Sequence, residues 1–304
     1  MHLYIHNFSI RVFEIPLDYP MFSIAGGKTA LELKSDKGVF NPNASVILAD
    51  PFLFVKDDTL YLFYEHLTRW FGKGRICMRK TNDLKNWSKE KDVLVEPFHL
   101  SFPYVFEDEG KVYMLPETGG DKSITLYEAT DNTLTKWHKV SKLMEGGDPW
   151  YDSVIHKQDG KYYLFTGHDN DVQQVQHLFM ADSLTGPYTE HPSSPICEGR
   201  DRARNAGSVI KKNNNELYRP VQVCVNGYGE QTSVMKIETL TPTEYKETLY
   251  KKDIIDTQTP PYTMGGHQWN PVEFMGKIIV ATDYREKNYN VVEMMRMAKR
   301  KFLG

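Results

Sequence analysis

Apolar and aromatic residues come along this chain in short runs broken by Asp, Asn, Gly and Lys, and the runs come in pairs. ADPFLFVKDDTLYLFYE (49–65) is the first complete pair: two strand-forming stretches around a polar break, the sequence form of a β-hairpin. SFPYVFEDEGKVYMLPE (101–117) repeats it, with Pro103, Tyr113 and Glu117 each 52 positions beyond Pro51, Tyr61 and Glu65. YDSVIHKQDGKYYLFTG (151–167) is a third copy that puts Asp152 where the first has Asp50. SVIKKNNNELYRPVQ (208–222) and the weaker NPVEFMGKIIVATD (270–283) follow. Further strand-like stretches extend the first four hairpins (GRICMRKTNDLKNW, ITLYEATDNTLTKW, HLFMADSLTGPY, TSVMKIETLTPTEY), with Leu84, Leu134 and Leu184 at intervals of fifty.

Four strands per repeat is the plan of a propeller blade. The pattern therefore predicts an all-β chain, a five-bladed β-propeller with four-stranded blades over residues 49–285. Residues 1–48, which include LYIHNFSIRVFEI, supply strands that complete the last blade and close the ring, and 286–304 form a tail on what is a single domain. Helical periodicity is confined to NVVEMMRMAKRKFLG (290–304), a short C-terminal helix ending in Lys299, Arg300 and Lys301. Two roles stay open for it: a cap on the propeller, or peripheral contact with a membrane surface or lipid-linked substrate.

Composition narrows the partners. A formal net charge of −3 and a pI near 6.4 give no electrostatic footprint for nucleic acid. Cys77, Cys197 and Cys224 lie far apart without CxxC spacing, which reads as buried thiols. The N-terminal residues have no basic segment followed by an apolar stretch, and no run of 18 apolar residues occurs, so a soluble, cytoplasmic protein is expected. No Gly-rich phosphate loop, GxSxG elbow or zinc signature is present, and neither cofactor nor metal is expected. His168, Asp169 and Asp171 of GHDND read as a polar turn.

The first strand of each blade lines the central channel, so residues at its start converge on one rim. Asp50 and Asp152 hold equivalent positions there, and paired carboxylates suit glycosidic bond chemistry, one donating a proton and the other activating an acceptor or attacking the sugar. The competing reading is a turn cap on backbone N–H groups. The second copy has Phe102 at this position. Glu65 and Glu117 end the second strands, aligned with Gly167, Gln222 and Asp283; Glu117, in LPETGG, sits in an open loop where a carboxylate either faces a ligand or is simply solvated. Arg202, Arg204, Asn205, Arg219 and Gln222 gather near one rim and suit a grip on a carboxylate or phosphate. His267 and Trp269 in MGGHQWN are placed either to bind a sugar ring and its hydroxyls or to pack in the core.

ADPFLF, SFPYVFEDEGKVYMLPET, the Asp-Ser-Val-Ile hairpin, ARNAG, YRPVQ with the following Tyr228-Gly229, and GGHQWN together resemble the N-terminal propeller domain of plant glucosamine inositolphosphorylceramide transferases and bacterial relatives. More distantly the chain resembles the five-bladed propellers of glycoside hydrolase families 43, 32 and 68. The likeness to family 43 implies a base at Asp50 and places Asp152 near the acid, although Asp152 is the shorter carboxylate and Phe102 replaces a further acid. The expected function is a carbohydrate-active enzyme making or remodelling a glycosidic bond in glycoconjugate or surface-polysaccharide assembly. It would use Asp50, Asp152 and Glu117 for catalysis, with the arginines on an anionic nucleotide-sugar donor. The alternatives are a hydrolase of furanosides or short oligosaccharides, and a glycan-binding propeller without catalysis.

Overall fold

The computed structural model describes residues 5–288 other than 19, 25, 37–42, 70, 71, 148, 170–172 and 213. The expected C-terminal helix and its basic residues, and Asp171, lie outside the described residues. Among those described there is no α-helix; two 3₁₀ turns, Gly119–Asp121 and Tyr262–Met264, are all that departs from strand and loop.

Strands β1 (Ile5–Ile15) and β2 (Lys28–Leu33) precede the first repeat, which forms β3 (Ser45–Lys56), β4 (Thr59–Thr68), β5 (Arg75–Thr81) and β6 (Lys91–Leu94). The second repeat forms β7 (Ser101–Asp108), β8 (Lys111–Glu117), β9 (Ser123–Ala129) and β10 (Trp137–Glu145). The third forms β11 (Trp150–Gln158), β12 (Lys161–Asp169), β13 (Gln174–Ala181), β14 (Thr189–Glu190) and β15 (Cys197–Glu198). The fourth gives β16 (Ile210–Lys211), β17 (Leu217–Val223), β18 (Gln231–Leu240) and β19 (Tyr245–Lys251), and the fifth β20 (Asn270–Phe274) and β21 (Lys277–Asn288).

The hairpin turns form because the residues at their tips accept left-handed backbone. Asp57 and Asp58 have φ of 46° and 54°, and the same pair of positive angles recurs at Glu109-Gly110, Asp159-Gly160 and Met275-Gly276. Two consecutive positive φ values are the requirement of a type I′ turn, whose twist matches that of the strands it joins.

Repeats two, three and four each make their own antiparallel sheet. The remaining sheet has eight strands, ordered β20-β21-β1-β3-β4-β5-β6 with β2 on β1, and its two antiparallel halves meet at one parallel pair, Phe8 with Ile47. N-terminal strand β1 lies along β21 from Ile5↔Asn288 to Ile15↔Ile278, so the start of the chain completes the sheet begun near its end.

The core is laid down between successive sheets. Phe63, Met78, Val105 and Met114 join the first repeat to the second, and Tyr104, Leu115, Val154 and Leu164 the second to the third. Phe165, Leu217 and Ile237 continue to the fourth, Tyr218, Val234, Trp269 and Val280 to the last, and Ile10, Leu53, Tyr64 and Ile279 return to the first. Each such side chain, fully buried, contributes about 1.5–3 kcal/mol.

Candidate functional site

Three strands open onto the site by the same device. At Asp50, Phe102 and Asp152 the backbone takes φ of 51°, 46° and 50°, and the strand pairing slips beside each, between Ala49 and Phe52, Ser101 and Tyr104, and Tyr151 and Val154. Such bulges re-aim side chains. Asp tolerates the left-handed region, whereas for a bulky Phe it is a strained choice. In the second repeat the bulge seats the Phe102 ring edge-on against Phe52, 4.9 Å between centroids, within the core. In the first and third it turns a carboxylate toward a shared cavity of about 230 Å³. The repeats are also stitched together here: Asp50 Oδ2 accepts the Phe102 N–H at 3.2 Å, and the Asp50 N–H donates to Asp283 Oδ2 at 3.3 Å.

Two cation–carboxylate pairs form part of the wall. Arg204 Nε donates to Asp152 Oδ2 at 2.6 Å, with its guanidinium 4.2 Å from the centre of the Tyr151 ring and 5.3 Å from that of Tyr228. Gln222 Nε2 reaches the same Asp152 oxygen at 3.0 Å and Asn205 Nδ2 reaches the Asp152 carbonyl at 2.7 Å, so Asp152 is held on several sides. His267 stacks on Phe8 at 4.8 Å, and its Nδ1 is 2.6 Å from Asp283 Oδ2. Nε2 of the same ring lies 2.9 Å from the Tyr228 hydroxyl and 3.5 Å from Asp50 Oδ1. Burial alone would lower the imidazole's pKa, but the Asp283 and Asp50 charges outweigh it and raise the value to about 9, so His267 is a cation at neutral pH.

With Asp152 given to Arg204 and Asp283 to His267, the carboxyl groups of Asp50, Glu65 and Glu117 remain on the cavity. Burial, and then the nearby Asp152 charge, push Glu117 up to about 7. Burial also raises Asp50, against the pull of the His267 imidazolium. Glu65 Oε1 is 3.2 Å from His99 Nε2. On the other side of that ring the Gly74 N–H donates to Nδ1 at 2.8 Å, which leaves the Nε2 proton for Glu65. Position 74 needs glycine, since a Cβ there would stand 2.4 Å from the Leu100 carbonyl oxygen. The chemistry on offer is a set of hydroxyl acceptors with one carboxyl group poised to exchange a proton near neutrality.

Of the binding residues expected from sequence, Arg204 and His267 line this cavity, while Asn205 and Gln222 support Asp152 from behind. The others sit elsewhere. Arg219 is fully buried and bidentate on Glu247, at 2.6 and 3.0 Å, which leaves its guanidinium bracing the core of the fourth repeat. Arg202 borders a different cavity of about 490 Å³, beside Asp201 and Val223. Trp269 is 0% exposed and packs edge-on to Phe13, so it is core and has no face for a sugar. Asp152 is at the cavity but locked to Arg204. Glu65, His99, Tyr228 and Phe8 also line it. The repeat alignment pointed at Glu65 and Asp283, but nothing local marks His99 or Phe8.

Residues 33–274 match the family model described as glucosamine inositolphosphorylceramide transferase 1, N-terminal. Proteins named glucosamine inositolphosphorylceramide transferase 1 are similar to this chain: one from Oryza sativa subsp. japonica is 34% identical over 237 residues, 76% of this chain, and one from Arabidopsis thaliana 35% over 210 residues, 67% of it. The matched stretches are 31% and 27% of those proteins, so this chain corresponds to under a third of their length. Among solved structures, a levansucrase of B. megaterium aligns with a TM-score of 0.60 at 14% identity, over 81% of this chain and 79% of that one. An α-L-arabinofuranosidase of Podospora anserina aligns at 0.59 with 9% identity, over 84% and 95%. A thermostable family-43 glycoside hydrolase aligns at 0.53 with 15% identity, over 79% and 89%. At these identities the likeness concerns the fold.

Proposed function

The chain belongs to the family of the glucosamine inositolphosphorylceramide transferase 1 N-terminal domain, and on that premise we propose that its central cavity binds a hydroxyl-rich carbohydrate and acts on a glycosidic bond in glycoconjugate assembly. The supporting scaffold is a five-bladed propeller, with the eight-stranded sheet divided at the Phe8–Ile47 pair into the first and last blades. Four blades have four strands and the third has five, its outer edge being shared by β14 and β15, which pair with different parts of β13. One observation carries the reading: Asp50, Glu65 and Glu117 bring three carboxyl groups to one polar cavity, Asp50 beside His267 and Glu65 beside His99, and Glu117, with no cation within ion-pair distance among the described residues, is pushed up to about 7. Glu117 is the proton donor and acceptor, Asp50 the partner carboxylate, and Asp152 a positioning residue that holds Arg204. Arg204 is the one expected arginine at the cavity, so anionic groups of a donor have a single cation to meet there besides His267.

The test is a thermal-shift panel of neutral oligosaccharides, nucleotide-sugars and sugar phosphates, followed by product analysis with wild type and Asp50→Asn. A ligand at about a hundred times its dissociation constant adds about 2.7 kcal/mol. Stabilisation with turnover that disappears in Asp50→Asn supports the proposal. A second reading, recognition without catalysis, draws on the use of Asp50 Oδ2 as a cap for the Phe102 N–H. It requires binding to survive Asp50→Asn and no product from either protein. A panel in which no carbohydrate shifts the transition overturns both.

A further inference from the structure

The first repeat holds a second group of ligand-type side chains, apart from the central cavity. His66 near the end of β4, Cys77 in β5, Glu90 just before β6 and Asp92 within it come together. His66 Nδ1 is 2.9 Å from Glu90 Oε1 and 3.6 Å from Cys77 Sγ, and that sulfur is 3.1 Å from Asp92 Oδ1. Donor atoms of His66, Cys77 and Glu90 all lie within 4.8 Å of one another. His66 and Cys77 are buried, and a cavity of about 550 Å³ reaches His66 and Asp92 from outside.

Hydrogen bonding alone leaves this arrangement over-subscribed. A ring nitrogen holds either a proton or a lone pair, yet Nδ1 of His66 faces a carboxylate acceptor, the Arg75 Nη2 donor at 3.2 Å and a thiol. No one protonation state serves all three. A cation resolves the conflict by taking the Nδ1 lone pair, the sulfur and the carboxylates at once and leaving the Arg75 guanidinium to Asp92. With metal–sulfur bonds of about 2.3 Å and metal–nitrogen or metal–oxygen bonds of about 2.0–2.2 Å, a tetrahedral ion holds its donors about 3.3–3.6 Å apart. The His66–Glu90, His66–Cys77 and Cys77–Asp92 separations are 2.9, 3.6 and 3.1 Å and the Cys77–Glu90 one is within 4.8 Å. His66, Cys77 and Glu90 therefore form the core of the set, and Asp92 joins it by a rotation from its place beside the sulfur.

We propose that His66, Cys77, Glu90 and Asp92 bind a divalent transition metal of the zinc type. Thiolate and imidazole ligands select zinc or cobalt over magnesium or calcium. Binding releases the Cys77 proton, and three negative charges from Cys77, Glu90 and Asp92 then face the two of the ion. Arg75 stays on Asp92, where its Nε now lies 2.9 Å from Oδ1. Ser45 Oγ, 2.8 Å from His66 Nε2, is the partner that fixes the ring's orientation, as in other metal-bound histidines. The ion would pin β4, β5 and the start of β6 without touching the carbohydrate cavity.

The experiment adds Co²⁺ to the purified full chain and records its absorption. The expected result is one ion per chain with a thiolate-to-cobalt charge-transfer band and tetrahedral ligand-field bands. Zn²⁺ should displace it and raise the Tm. Cys77→Ser should abolish the band and the zinc-dependent Tm rise. If Cys77→Ser does not fold, Glu90→Gln serves: it should keep the band and weaken cobalt binding about tenfold or more. Cobalt that does not bind, that binds without a thiolate band, or whose band survives Cys77→Ser overturns the proposal.

Discussion

Glu117 holds its proton to about pH 7, whereas an unfolded glutamate gives it up near 4.5. Between those values the folded chain binds more protons than the unfolded one, so stability contributed at acidic pH is lost as pH rises through the window, by about 1–3 kcal/mol. His267 acts in the same direction at higher pH. Its folded value of about 9 exceeds the unfolded 6.5, so its stabilisation is complete below 6.5 and lost as pH climbs through 9. Urea titrations from pH 4.5 to 9 should show both falls, and Glu117→Gln should remove the first and leave the second. A stability profile for Glu117→Gln parallel to wild type would deny the raised pKa. The arginines give a contrast at the same scale. Arg219→Met strands the nearly buried Glu247 and should cost about 3–5 kcal/mol. Arg202→Met, on a half-exposed side chain 3.9 Å from Asp201, should cost under about 0.5 kcal/mol in the same measurement.

The repeat unit was legible because strand, turn and strand each have local rules, and the 52-residue spacing aligned Asp50 with Phe102 and nearly with Asp152. What the alignment could not contain is the left-handed bulge at those positions, which decides whether a side chain turns into the cavity or, as with Phe102, into the core. It equally could not show that Trp269 and Arg219 belong to the interior, since burial depends on which sheets come face to face. The His66, Cys77 and Glu90 group escaped for a related reason: its members are 11 and 24 residues from His66, on separate strands and a loop, with no short motif to join them. Gly167 illustrates how one strand shapes the site through another. A Cβ there would stand 2.1 Å from the Tyr151 ring, and Tyr151 carries Arg204 on its face. Gly167→Ala should therefore destabilise the chain by about 1–3 kcal/mol and weaken ligand binding together, read by denaturation and by the thermal-shift panel. Binding unchanged in Gly167→Ala would separate Tyr151 from the site.

At the scale of the molecule, the family match begins at residue 33 and leaves out β1, yet β1 is paired along its length with β21. Deleting residues 1–15 should expose the β21 edge and the Ile279 and Val280 side chains, replacing a cooperative urea transition with a broad one. A synthetic peptide of residues 5–15 should restore cooperativity if edge pairing is the cause. The same pairing sets an order of events during synthesis. Glu14 and Lys277 form an ion pair across 263 residues, so β1 leaves the ribosome long before β21, with which it pairs. Until β21 follows, β1 has β2 and β3 on one edge and an open edge on the other, and contacts this distant in sequence are slow to form. A nascent chain stalled before β21 has emerged would be a row of finished sheets with an open seam, prone to pairing with the wrong edge.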